Sequence, residues 1–79
     1  MADEVIRTAI LRAVAERGAG KTVCPSEVAR ALDAEWRALM PEVRRVAAEL
    51  AAAGEIAVTQ QGRKVDALKA RGAIRLGLP

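Results

Sequence analysis

The sequence predicts a single α+β domain, helical in its first two thirds and stranded in its last. Three observations carry this reading. Val5, Ile6, Ala9, Ile10, Ala13 and Val14 recur at helical spacing, and so do Val43, Val46, Ala47 and Leu50. Beyond Gly54 the period shortens to two, with Ile56 and Val58 alternating with less apolar neighbours. Gln61-Gly62 then supplies the two-residue turn of a β-hairpin before Arg63, Lys64 and Val65 resume an extended pattern. At 79 residues the chain makes one domain spanning 1–79, of a size that buries only about 60% of its unfolded surface.

Taken in order, Asp3 is placed to cap a first helix of about four turns, which Gly18 or Gly20 ends. Lys21 to Cys24, with β-branched residues at its centre and Pro25 behind it, reads as a brief strand or extended linker. Pro25 opens a second, short helix with Glu27 in its first turn and Val28, Ala29 and Leu32 facing inward. Asp33 to Met40 carries the one aromatic residue, Trp36, and forms a turn with helical character. A third helix over 41–53 starts at Pro41, whose missing N–H suits a first helical position, and stops at Gly54. A β-hairpin follows over 55–65, then a polar loop, then a last strand in which Ile74, Leu76 and Leu78 alternate. The pattern leaves open whether Val58 pairs with the Val65 segment, with the Ile74 segment, or lies between both.

Composition narrows the function classes. Of the apolar residues 18 are alanine, so the core is helical with few bulky members. No apolar run approaches the roughly 20 residues of a membrane span, and the first ten residues lack signal-peptide organisation; the expected compartment is the cytoplasm, with no membrane partner. One cysteine and no histidine cannot assemble a usual zinc set, and no cofactor site is expected. The net charge is +3, and its distribution is uneven. Residues 1–54 balance eight cations against eight acids, whereas 55–79 hold Arg63, Lys64, Lys69, Arg71 and Arg75 against Glu55 and Asp66. A basic excess gathered on one segment is the footprint of a polyanion-binding surface.

Helix, short strand, helix, helix and a two- or three-stranded antiparallel wing is the order of a winged helix-turn-helix. CPSEVAR at 24–30, WRALMPEVRR at 36–45, LAAAGEIAVTQQG at 50–62 and GAIRL at 72–76 resemble a small bacterial family of unassigned function, domain-of-unknown-function family 3253. That resemblance covers nearly the whole chain and implies a winged-helix fold without an established activity. Ala73 departs from it, since the family usually has proline after the glycine, and a less rigid entry to the last strand is implied.

Two motifs fail as catalytic signals. Arg17 to Thr22 ends like a phosphate-binding P-loop, but Ala15 stands where its first glycine belongs and a helix precedes it where a strand is required. Cys24 has no histidine or tyrosine to activate it, so a buried structural thiol is expected. Trp36 reads as a plug between the first helix and the helix-turn-helix unit, or as a stacking or partner-anchoring residue.

These readings converge on a non-catalytic DNA-binding domain with a transcription-related or nucleoid-associated role. Arg37, Arg44, Arg45, Gln61, Arg63 and Lys64 are its candidate nucleic-acid-binding residues. Arg44 or Arg45 is expected to pair with guanine edges in the major groove, and Arg37, Arg63 and Lys64 with phosphates of double-stranded DNA. Glu42 and Glu49 on the same helix can pair with Arg45 and repel phosphate, which keeps a protein-interaction adaptor in play as the alternative. The chain carries no added dimerisation helix, so a monomer or weak dimer is expected.

Overall fold

The computed structural model describes all 79 residues and shows three helices against a four-stranded antiparallel sheet. Helix α1 spans Asp3–Arg17, strand β1 Thr22–Val23, α2 Pro25–Leu32 and α3 Trp36–Ala52. Strands β2 (Ala57–Gln60), β3 (Arg63–Lys64) and β4 (Arg75–Gly77) complete the chain. No helix is long and apolar enough to cross a membrane.

On α1 the buried stripe is Ile6, Ile10 and Val14, spaced four apart. Val5 and the alanines flank this stripe, and Val5 is left 47% exposed. Asp3 does not cap the helix as expected. It is the first helical residue, the Ala2 carbonyl accepts the first turn's N–H groups from Val5 and Ile6, and the Asp3 carboxylate is drawn off to Arg45. Pro25 opens α2 as expected, and Glu27 reaches back to accept the Cys24 N–H at 3.3 Å, satisfying one of the donors that a helix start leaves free.

The third helix begins five residues before the expected start. Pro41 lies inside α3, where its ring leaves the Arg37 carbonyl without its usual donor. Packing explains the extension: Trp36, Leu39 and Met40 rest against the core, and that burial holds the extra turn in place. Val43, Val46, Ala47 and Leu50 are the buried face, as their spacing predicted. At the other end the Glu55 N–H donates to Leu50 O at 2.9 Å and the Gly54 N–H to Ala51 O at 3.0 Å, a paired termination that requires Gly54 at its φ of 77°.

The strand order is β1-β4-β2-β3. β4 sits between β1 and β2, with Leu76 opposite both Val23 and Val58, so the stranded layer is one sheet closed by the short segment before α2. β2 in turn lies between β4 and β3, with Thr59 opposite Arg75 on one side and Lys64 on the other. The Gln61-Gly62 turn has φ of 52° and 81°, the two positive values that a primed hairpin turn demands. The last strand is shorter than its alternation predicted. Ile74 and Leu76 are buried, but Leu78 is 41% exposed because the pairing stops at Gly77. Fifteen apolar residues from all three helices and from the sheet side form one core, and no buried polar side-chain atom lacks a partner.

Candidate nucleic-acid interface

The connection between β2 and β4, residues 61–74, gathers most of the chain's surplus charge. Its fold is specified locally. After the hairpin, the Asp66 carbonyl accepts the N–H groups of Lys69 and Ala70 at 3.1 and 2.9 Å, and the Asp66 carboxylate accepts the Leu68 N–H at 2.8 Å. Asp66 therefore closes a turn, and Ala67 within that turn is buried as a peg in the core. Gln60 holds the far side of the connection, donating from its amide to the Arg71 and Ala73 carbonyls.

Arg44 ties this connection to α3. Its guanidinium donates to Ala70 O at 2.9 Å and to Gly72 O. Two donors of Arg44, a residue expected at guanine edges, thus satisfy backbone carbonyls of the 66–72 loop, which lies over that side of the helix. Arg45 is also engaged. It meets Asp3 at 2.7 and 3.1 Å, Glu49 at 3.0 Å and Glu42 at 3.5 Å. Three carboxylates converge on one guanidinium and hold it firmly in its charged form. The same contact, chiefly through its hydrogen bond, keeps Asp3 below its ordinary carboxylate range.

Arg37 is exposed, and its guanidinium carbon lies 4.4 Å from the centre of the Trp36 ring. Arg30 lies at the same distance, so the indole orients two cations at the α2–α3 corner. Trp36 is partly buried and does pack on the core, while its ring also carries these two side chains. Gln61, Arg63 and Lys64 are exposed at the hairpin.

Lys69 and Arg71, part of the basic excess after Gly54 but not among the expected binding residues, are further functional candidates. Both are exposed on the connection, and with Arg63 and Lys64 they make four cations in no ion pair. The signal was present in the charge count of the last third. What the periodicity lacked was any indication that the loop folds back onto α3.

Outside the connection, ion pairs form at Arg17 and Arg45, whereas Arg12 and Lys21 are exposed and in no ion pair. Arg17 bonds to Glu27 at 2.5 Å and to Thr22 O at 2.8 Å beside a 640 Å³ groove between α1 and α2. Cys24 is half-buried rather than fully buried, because it stands at the surface end of the sheet where Arg75 donates to both its sulfur and Thr22. The Glu27 carboxyl is held below its ordinary range, first by the Cys24 N–H and then by Arg17.

The fold and the charge distribution together define a small α+β domain with one unpaired cationic connection. Residues 3–79 match the family described as a protein of unknown function, DUF3253, and the chain belongs to that family. No curated protein matches it.

Proposed function

We propose that the domain is a winged-helix nucleic-acid-binding module, non-catalytic, that grips the phosphate backbone of double-stranded DNA through the 61–74 connection as its wing. The observation that carries this reading is the set of four exposed, unpaired cations, Arg63, Lys64, Lys69 and Arg71, on one hydrogen-bonded connection. Phosphate contacts position a protein without reading bases. With Arg44 and Arg45 engaged by groups of the protein itself, α3 contributes Arg37 at its start, and binding is largely independent of sequence. Such a module suits a nucleoid-associated or transcription-related role.

The test is fluorescence anisotropy of a labelled random-sequence duplex at several salt concentrations. Four phosphate contacts from the connection and one from Arg37 give a log–log salt slope of about −4 to −5, and the paired change Arg63→Ala with Lys64→Ala reduces it by about 2. Absence of binding at low salt overturns the reading.

A second reading is favoured by one feature. Glu42 and Glu49 stand beside Arg45 on the open side of α3, where a duplex would meet like charge. They favour a protein-interaction adaptor that presents α3 to a protein partner. Recovery of one stoichiometric protein from nuclease-treated lysate supports that alternative.

A further inference from the structure

We propose that Leu68 is an apolar insertion residue that enters the minor groove of bound duplex DNA and unstacks a base step. This inference rests on the nucleic-acid reading above. Leu68 is 63% exposed, the most exposed of the large hydrophobic residues. Its exposure is not that of a slack loop. Its N–H is held by the Asp66 carboxylate at 2.8 Å, the preceding Ala67 is 1% exposed in the core, and the following carbonyls of Ala70 and Gly72 are clamped by Arg44. The backbone on both sides of Leu68 is thereby fixed while its side chain is left in water.

The neighbouring charges say what the side chain meets. Lys64, Lys69 and Arg71 flank Leu68 along the connection, and the one acid among them, Asp66, is turned to the loop's own N–H group. Cations that hold phosphates on either side of a protruding apolar side chain are the arrangement by which a wedge is driven into a base step, the phosphate contacts offsetting the unstacking. The apolar surface beside Leu68 is a groove of 360 Å³ whose other apolar lining is Met40, Pro41 and Ala67. The free charges around it, Lys64, Lys69 and Arg71, are all positive, which fits a polyanion.

The experiment uses the whole chain and a duplex with 2-aminopurine at a central A·T-rich step, reading anisotropy and 2-aminopurine emission together. The expected result is a severalfold rise in emission on binding. Leu68→Ala, folded by circular dichroism, keeps the salt slope, loses the rise and weakens binding about tenfold, the loss expected for removing roughly two buried methylene equivalents. Leu68→Met, which restores an apolar side chain of similar length, recovers the rise. Binding without a rise, or a Leu68→Ala variant indistinguishable from the parent, overturns the insertion and leaves the phosphate reading standing. Failure to bind the duplex at low salt overturns both. Poly-L-glutamate bound as tightly as the duplex, with the same dependence on Leu68, assigns the patch to an acidic protein partner and overturns the insertion.

Discussion

The Arg45 guanidinium on α3 lies 2.7 Å from the carboxylate of Asp3, the first residue of α1, and joins residues 42 positions apart in the chain. Because Asp3 is held below its ordinary value of 3.8 and Glu27 below 4.5, both carboxyls bind protons less readily folded than unfolded. Their contribution is therefore fully present above the unfolded values and is lost as pH falls through the folded ones. Thermal melts from about pH 7 to pH 3 are expected to show constant midpoints down to about pH 5 and a fall below it. The Asp3→Asn, Glu27→Gln double variant flattens that acid limb. An unchanged limb would show that neither pair links folding to pH.

Arg44 is expected to matter for stability more than its place on a helix surface implies. Removing it as Arg44→Ala leaves the Ala70 and Gly72 carbonyls to water and frees the loop, for a loss of about 1 kcal/mol in urea denaturation. Arg44→Lys recovers only part of this, since an ammonium lacks the planar fork that reaches both carbonyls. A loss below about 0.5 kcal/mol, the usual scale of a surface change, would show that the loop holds itself.

Gly54 ends α3 at a φ of 77°, with open space where a β-carbon would stand. Gly54→Ala is therefore a test of backbone conformation without a steric clash from neighbours. It is expected to destabilise the domain by about 1 kcal/mol, measured by chemical denaturation, through the cost of a left-handed residue. A neutral result would mean that the helix end relaxes to another termination.

Much of this architecture is legible in the residues themselves. The buried stripe of α3, the opening of α2 at Pro25, the stop at Gly54 and the Gln61-Gly62 turn are all set by neighbours within a few positions, where spacing and backbone preference act directly. The start of α3 was not legible, because Pro41 is a strong local signal and the burial of Trp36, Leu39 and Met40 that outweighs it is a property of the packed domain. The pattern leaves the pairing of β4 open for a related reason. Leu76 has apolar partners on both sides, Val23 and Val58, and strand alternation cannot say which of several such partners will be adjacent.

The candidate site divides along the same line. The surplus of cations after Gly54 is a fact of the sequence, and so are the helical spacing and the hairpin that present them. The sequence by itself thus determined the element types, most of the core and the segment where free positive charge lies. Only the tertiary structure decided which cations stay free. Arg44 and Arg45 are adjacent in the chain, yet one is taken by carbonyls 26 and 28 residues away and the other by a carboxylate 42 residues away. The Glu42 and Glu49 contacts of Arg45 are legible in the spacing of one helix. The partners 26 to 42 residues away are polar groups that packing brings within reach, and that spacing carries no record of them.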